Sequence, residues 1–368
     1  METTALKTTI AYESKLVKRN WLFYLFILGI LGYTLGVLIP WNINQVLWSD
    51  VALASSIPSR SVYFLNLFQS LIVAFIVCDI QRKQRKAETR EVLSTRPISN
   101  GKFFLGGFLG ILIPFLTADV VFMVITMFIN IFIPDSPANL WVNLFYLLTR
   151  TLPSLIFITG LSLLVNKLIK HPFISWLILI IFLYFAYSYL ITPLHGMLDF
   201  RGSLLPDSFS TLVGFTHIED NLLQRSTFLL LGISFLFFAA PLTKRLPGTS
   251  GRKPYYFIPA SLFLVFSLSL GYLYVEKFQT RLKNRIAYRE AFLKYNEYPT
   301  SRVLSHDITY RPEGDKFSAI SRMSIQNQRK VEMDQLLLFL NPGLKINKLE
   351  SNGQNLPFHR DHQVIVIK

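Results

Sequence analysis

The sequence has few charged residues, few acidic residues among them, and a single cysteine. Charged residues make up 16% of the 368 positions, against about a quarter in an ordinary globular domain. Lys and Arg outnumber Asp and Glu by 37 to 22, while hydrophobic residues reach 51%. This balance excludes a disordered chain, a basic nucleic-acid-binding protein and a typical soluble enzyme of this length. Because Cys78 is alone, an intrachain disulfide and a cysteine-rich zinc site are excluded as well.

Long apolar runs occupy the places where charge is missing. Seven of them meet or approach the roughly 20 residues that a membrane-spanning helix needs. They cover about 21–40, 61–80, 103–133, 142–166, 173–193, 226–242 and 255–275. The sixth run is the shortest, and the third is long enough to require a tilt or a kink at Pro114. The sequence therefore predicts a polytopic α-helical membrane protein with about seven transmembrane helices.

The distribution of Lys and Arg over the loops sets the predicted orientation. Basic residues are concentrated in segment 1–20 and in loops 81–102 and 243–254, whereas loops 41–60 and 134–141 have one or none. Because loops rich in Lys and Arg stay inside, the N-terminus is predicted to be cytoplasmic, in a bacterial cytoplasmic membrane. An odd number of spans then places the C-terminal part outside. A miscount by one span would place it inside, so this prediction depends on the short sixth run.

The composition changes after the seventh run. Residues 276–300 are charged and aromatic and are predicted to form a helical stalk. From residue 301 apolar and polar residues alternate, with turn signals at Asn341-Pro342-Gly343 and Ser351-Asn352-Gly353. The predicted strands are 303–310, 316–326, 332–340, 344–350 and 362–368. Region 301–368 is thus predicted to be a small extracytoplasmic β-rich module, and its ending on a strand without a closing element suggests an incomplete one.

Loop 81–102 carries the most informative pattern. Its charged residues lead to Glu88-Thr89-Arg90-Glu91-Val92-Leu93, whose apolar residues fall on one side of a helix. Arg96-Pro97 ends that helix, and Ser99-Asn100-Gly101 can cap the next one. A short amphipathic helix between two spans on the cytoplasmic side is typical of a docking element. Charge alone equally permits a solvated basic loop held by anionic lipid headgroups.

The order of residues in this loop resembles the coupling-helix region of type 2 ABC exporter permeases. The matching pieces are Glu88-Thr89, Val92-Leu93, Ser94-Thr95-Arg96-Pro97-Ile98-Ser99, Lys102 and Gly106-Gly107. The glycine that usually precedes the threonine in that family is Glu88 here. An amphipathic N-terminal segment, 1–20, followed by six spans is similar to the family as well. The resemblance therefore covers about residues 1–245, with the six-span region at 21–245.

The resemblance implies a permease subunit that couples a separate ATPase to transport. The chain has no Gly-x-x-x-x-Gly-Lys-Ser/Thr motif, so ATP and Mg would be bound by an ABC ATP-binding subunit. The residues expected to contact that subunit are Glu88, Thr89, Arg90, Glu91, Leu93, Arg96 and Pro97. A second permease copy or a paralogue would complete the path through the lipid bilayer, without nucleic acid. The chain itself is expected to hold no cofactor or metal and to catalyse no reaction.

Two ionisable residues, Asp119 and Arg150, fall within apolar runs. Such groups are costly in lipid and therefore face protein or water. They could pair with each other, or they could line a translocation path. Gly32-x-x-x-Gly36 and Gly106-x-x-x-Gly110 permit close approach of helices, either within one subunit or at a dimer seam.

Region 301–368 resembles the start of the N-terminal β-domain of gluzincin zinc aminopeptidases. The resemblance rests on Asp307-Ile308-Thr309-Tyr310, on the Leu-rich strand closed by Leu340-Asn341-Pro342-Gly343-Leu344, and on Asn352-Gly353. The catalytic motif His-Glu-x-x-His is absent, so no peptidase activity is expected in these residues. Two alternatives to the permease follow: the membrane anchor and first β-domain of an extracytoplasmic aminopeptidase, and a membrane-bound sensor that signals through loop 81–102.

Overall fold

The structure, a computed structural model, divides the chain into two compact units, a helical unit (Met1–Glu276) and a β-containing unit (Lys277–Lys368). It describes residues 2–40, 55–85, 98–132, 138–169, 171–205, 208–210, 214–215, 217–243, 254–298, 301–314, 316–328 and 332–368.

Nine α-helices are present in these described ranges. They are α1 (Glu2–Lys18), α2 (Trp21–Tyr33), α3 (Ser56–Gln84), α4 (Asn100–Phe132), α5 (Leu140–Tyr146), α6 (Leu152–Leu168), α7 (Pro172–Ser188), α8 (Ile218–Ala239) and α9 (Phe257–Tyr295). A π turn, Thr34–Leu38, continues α2, and another, Leu147–Thr151, joins α5 to α6. A 3₁₀ turn, Ala240–Leu242, follows α8.

Six helical segments of the described chain are long and apolar enough to cross a membrane. They are Trp21–Leu38, Ser56–Gln84, Asn100–Phe132, Leu140–Leu168, Ile218–Leu242 and Phe257–Tyr295. Their length and apolar composition support the prediction of a multi-pass membrane protein. The fifth predicted run, 173–193, corresponds to α7, which has only 17 residues.

The sixth apolar run is the shortest in the sequence, but it lies within a long helix. The sixth run belongs to the 25-residue segment Ile218–Leu242, because polar residues extend the helix by two turns before the apolar stretch begins. The fifth run gives a shorter helix, because α7 ends at Ser188, before the apolar run does. The amides of Tyr189 and Leu190 both donate to the Phe185 carbonyl, at 2.8 and 3.0 Å, and the helical ladder ends there.

Aromatic rings fill the contacts among α2, α3 and α4. Phe26 of α2 lies 6.1 Å from Phe68 and 5.2 Å from Phe115, measured between ring centroids. Farther along the same helices, Tyr33 stacks on Phe64 at 4.0 Å. Such pairs bury large apolar areas and favour defined ring geometries, so much of the phenylalanine content serves packing between helices.

Glycine allows α6 and α8 to approach until their backbones touch. A Cβ added to Gly160 of α6 would lie 2.5 Å from the carbonyl oxygen of Gly232, and a Cβ on Gly232 would lie 2.7 Å from the Cα of Phe157. α9 then packs on α8 through a hydrogen bond from the Ser267 hydroxyl to the Thr227 carbonyl, at 2.8 Å. The helix α9 continues without interruption to Tyr295.

Nine strands lie in the described ranges, two of them in the helical unit. These two, β1 (Phe209–Ser210) and β2 (Gly214–Phe215), form a small antiparallel ladder. The β-containing unit has β3 (Arg302–Glu313), β4 (Lys316–Gln326), β5 (Leu336–Phe339), β6 (Glu350–Ser351), β7 (Gln354–Asn355), β8 (Phe358–Asp361) and β9 (Val364–Ile367). β3 pairs with β4, β6 pairs with β7, and the remaining three form an antiparallel sheet of order β5-β9-β8.

The three-stranded sheet packs on the last turns of α9. Its buried cluster consists of Tyr295, Leu337, Val364 and Val366. At the edge of this contact, the Lys294 ammonium donates to Asp361 Oδ2 at 2.8 Å. That hydrogen bond holds the pKa of the Asp361 carboxyl below its ordinary value.

The predicted strand 344–350 is wrong, because residues 344–349 form no ladder. The Asn341 side chain accepts from the Gly343 amide at 2.9 Å and closes a turn. The Arg360 guanidinium then donates to the Leu344 carbonyl and, at 3.0 Å, to the Asn341 carbonyl. These carbonyls bind a side chain and not a neighbouring strand. The turn at Asn352-Gly353 is confirmed, with φ of 50° and 83°.

Candidate functional site

The residues predicted to contact an ATPase lie outside the described ranges. These residues are Glu88, Thr89, Arg90, Glu91, Leu93, Arg96 and Pro97. Both flanks of the loop are described. α3 continues to Gln84, beyond the predicted end of its span, and α4 begins at Asn100, where the Ser99 hydroxyl accepts from the Lys102 amide at 3.4 Å.

The amphipathic helix α1 packs on the first turns of α4. A buried stripe at four-residue spacing faces the bundle: Thr9, Glu13 and Val17. The Ser14 hydroxyl donates to the Gly110 carbonyl at 3.1 Å. A Cβ on Gly110 would lie 2.4 Å from Glu13 Cβ, and one on Gly106 would lie 2.8 Å from Thr9 Cγ2. The motif Gly106-x-x-x-Gly110 therefore serves packing within one subunit. Gly32 and Gly36 have no described atom within 4 Å of an added Cβ.

The end of α3 is bound to α1 and α2 by side-chain hydrogen bonds. The Gln84 amide donates to Glu13 Oε1 at 2.9 Å. One turn earlier, Asp79 Oδ2 accepts from the Asn20 amide at 3.0 Å, and Asn20 itself caps α2 through the Leu22 amide. Because Glu13 is 1% exposed, its bond to Gln84 is shielded from solvent. The residues just before the predicted coupling loop are thus fixed to the N-terminal helices.

The next residue of the chain, Arg85, reaches the end of α6. Its guanidinium donates to the Asn166 carbonyl and, at 3.3 Å, to the Ile169 carbonyl, at the helix C-terminus, where the last carbonyls lack the usual helical partners. Partial burial lowers the pKa of Arg85 from its ordinary value. The Asn166 amide donates in turn to Cys78 Sγ of α3 at 3.1 Å. The loop flank is thereby connected to α6 as well as to α1.

Asp119 binds a glutamine and not Arg150. Both of its carboxylate oxygens accept from Gln69 Nε2 of α3, each at 2.8 Å, and Asp119 is 1% exposed. One turn from Gln69, the buried Asn66 amide has no hydrogen-bond partner in the described structure. Arg150 lies in the π turn before α6 and donates to the Leu205 carbonyl at 3.1 Å. The two predicted intramembrane groups are therefore not brought together.

A buried arginine, Arg225, is the centre of a polar cluster at the start of α6. It lies on α8 and is 1% exposed. Its guanidinium donates to the carbonyls of Thr149 (3.0 Å), Phe200 (2.7 Å) and Arg150 (3.1 Å), to Gln224 Oε1 (3.2 Å) and to Ser154 Oγ (2.7 Å). A guanidinium has five N–H donors in a fixed planar arrangement, which suits these five acceptors. Arg225 thus joins α8, the α5–α6 junction and the segment that precedes β1.

That segment, 193–205, is folded between helices. Asp199 and Arg201 form an ion pair in which Nε and Oδ1 are 3.2 Å apart and each side chain is 1% exposed. The Arg201 guanidinium carbon lies 4.2 Å from the centre of the Tyr187 ring. The Gln224 amide donates to the Asp199 carbonyl at 2.7 Å, and the Tyr274 hydroxyl of α9 donates to the His195 carbonyl at 2.9 Å.

The burial of these charged residues was not predicted. Asp199, Arg201 and Arg225 lie in residues 194–225, between two predicted spans, where charge is normally solvated. One signal was available: Gln224 and Arg225 stand next to an apolar run, at a place where an exposed charge would usually be Lys. For Glu13, the sequence indicated only that it lies in the amphipathic N-terminal segment 1–20. Arg225 binds the carbonyls of Phe200, Arg150 and Thr149, which lie 25, 75 and 76 positions away in the sequence.

Metal ligands are not gathered in the described part of the chain. Among its residues, no group of three or more His, Cys, Asp or Glu side chains could hold a metal ion. His217 Nδ1 lies 3.5 Å from Asp220 Oδ2, as a single pair.

Comparison with known proteins does not assign the chain to a family. No protein-family model matches it, and no curated protein matches it significantly. Its function therefore has to be inferred from residue patterns and from geometry.

Proposed function

We propose that the chain is the membrane-spanning permease subunit of an ATP-driven ABC exporter, with loop 81–102 as the contact for a separate ATPase. The resemblance of residues 88–107 to a coupling-helix region supports this proposal. The observation that carries it is the attachment of the loop's described flank. Gln84 binds Glu13 of α1, and Arg85 binds the carbonyls at the end of α6.

Through this attachment, a movement of the loop would be transmitted to α1 and α6 together. A displacement of the α3 end would move α1 and α6 with it, because buried hydrogen bonds resist separation. α6 would pass the movement to α8, since their backbones touch at Gly160 and Gly232. Close-packed interfaces of this kind shift as units. In this mechanism Asp119 and the neighbouring Asn66 supply polar groups to the interior through which a substrate passes.

The partners follow from the same proposal. The ATP-binding subunit holds ATP and Mg, and a second permease copy or a paralogue completes the path. The protein lies in the bacterial cytoplasmic membrane with its N-terminus inside and its β-containing unit outside, which requires α7 to cross as a seventh helix. A membrane anchor of an aminopeptidase, or a sensor, would use the same helices without an ATPase.

Charge reversal in the loop tests the coupling role. We expect Glu88→Lys and Arg90→Glu each to reduce co-purification of the ATPase by more than tenfold, because opposed charges at the contact become like charges. The measurement is affinity purification of the tagged full chain, with the neighbouring ATPase quantified by mass spectrometry.

The matched control is Arg311→Glu, the same change at an exposed site of β3. It should leave the recovered ATPase unchanged. Equal recovery of the ATPase with wild-type chain and with both loop variants, at equal expression, would contradict the docking role. Absence of any ATPase from the wild-type preparation would favour the anchor or the sensor.

A cysteine at Ser351 tests the orientation. Ser351 is exposed in β6, and the native Cys78 is buried, so labelling reports the new thiol. We expect Ser351→Cys to react with an impermeant maleimide in intact cells. Labelling only after lysis would mean that an even number of helices crosses the membrane and that α7 does not.

A further inference from the structure

A small cavity lies where α1 meets the bundle. Its volume is about 20 Å³, and it is lined by residues of α1, α3, α4 and α6 and by the residue that follows the 3₁₀ turn after α8. Five polar side chains contribute to its lining: Glu13, Gln81, Gln84, Lys167 and Thr243. A cavity needs roughly 10–15 Å³ and two to four polar partners to hold one water molecule.

Thr243 provides the decisive observation. Its side chain is 5% exposed, and its hydroxyl has no hydrogen-bond partner in the described structure. The Thr243 amide donates to the Ala240 carbonyl at 3.1 Å, which fixes the residue at the end of α8. A buried hydroxyl without a partner is costly, and here it faces a cavity that already has other polar walls.

The charges around the cavity select a neutral occupant. Lys167 lines the cavity, so a cation inside it would be repelled by the Lys167 ammonium. An anion would meet the Glu13 carboxylate. An apolar group would leave the polar lining without hydrogen bonds. A molecule the size of water, able both to donate and to accept, satisfies the carboxylate, the ammonium and the hydroxyl together.

We propose that one water molecule occupies this cavity and bridges the Thr243 hydroxyl to Glu13 and Lys167. The water donates to the Glu13 carboxylate and accepts from the Lys167 ammonium, and the Thr243 hydroxyl completes its shell. α1 is thereby held to the ends of α6 and α8 by a hydrated link, in addition to its dry contact with α4. This inference does not depend on the permease proposal, because it concerns only how α1 is attached.

Thr243→Val tests the link with little change of shape. The variant keeps the branched side chain and removes the hydroxyl, so the water loses one partner. We expect the backbone amides of α1 to exchange with deuterium about fivefold faster than in the wild-type chain, as loss of a water-mediated contact allows. Thr243→Ser retains the hydroxyl and should change the exchange by less than twofold. The probe is water itself, and the sample is the full chain in nanodiscs.

A structure of the wild-type chain at a resolution that shows water molecules is the second measurement. Density in the cavity within 3.2 Å of Thr243 Oγ1 and of Glu13 or Lys167 would support the proposal. An empty cavity, or direct contact of Thr243 with another side chain, would overturn it. Equal exchange of α1 in the Val and Ser variants would overturn it too. If Thr243→Val fails to fold, the wild-type density alone decides.

Discussion

Replacing Gly232 by alanine is expected to destabilise the helical unit by about 3 kcal/mol, the upper end of the usual cost of overpacking. The added methyl would lie 2.7 Å from the Cα and 2.8 Å from the amide nitrogen of Phe157, and 2.9 Å from the carbonyl carbon of Ile156. All three are backbone atoms, so no side-chain rotation can relieve the clash. α6 and α8 have to separate, and the rings packed beside Gly232 lose contact.

The single cysteine supplies the measurement. Cys78 is 6% exposed, and a fluorogenic maleimide therefore reacts with it only as the fold opens. We expect the midpoint of thermal unfolding of the purified chain to fall by roughly 5 °C. Gly32→Ala is the matched control, because no described atom lies within 4 Å of its new methyl and alanine favours helix. Equal midpoints for the two variants would show that the close approach of α6 and α8 is not needed.

The membrane helices were predictable because an apolar run of about 20 residues has almost no alternative to spanning. The turn at Asn352-Gly353 was predictable because few residue pairs adopt positive φ in succession. The absence of a strand at 344–349 was not predictable, since the carbonyl of Leu344 at its start accepts from Arg360, which lies in a different strand. Alternation of polar and apolar residues cannot reveal a distant side chain that binds the backbone carbonyls needed for strand pairing.

The site residues show the same division between local and distant causes. The stripe of Thr9, Glu13 and Val17 can be found from helical spacing, but the partner of Glu13 is 71 residues away. For Asp119, the cost of a charge in lipid correctly indicates that it must have a polar partner. It does not indicate which one, and Gln69 supplies what Arg150 was expected to supply. The identity of a buried partner depends on how helices pack, which no local pattern contains.

Arg225→Leu is the second change for which we expect a large effect, a loss of about 4 kcal/mol. The leucine removes this donor from the carbonyls of Thr149, Arg150 and Phe200, of which Arg150 and Phe200 keep the Ser154 hydroxyl. Each hydrogen bond to a charged group that is lost costs about 1.5–3 kcal/mol. Buried apolar contact of the leucine offsets part of that cost. Segment 193–205 then loses its attachment to α8 at Phe200, and the ion pair of Asp199 and Arg201 is held by fewer contacts.

The measurement combines thermal unfolding with hydrogen exchange of residues 193–205. In Arg225→Leu these amides should exchange more than tenfold faster than in the wild-type chain, because local opening no longer breaks the hydrogen bond from the Arg225 guanidinium to the Phe200 carbonyl. Arg225→Lys keeps the charge but lacks the planar fork, so its effect should be intermediate. Arg285→Leu, the same change at an exposed position of α9, should leave both readouts unchanged. Rapid exchange of 193–205 already in the wild-type chain would mean that Arg225 does not hold this segment between the helices, whatever the stability of the variants.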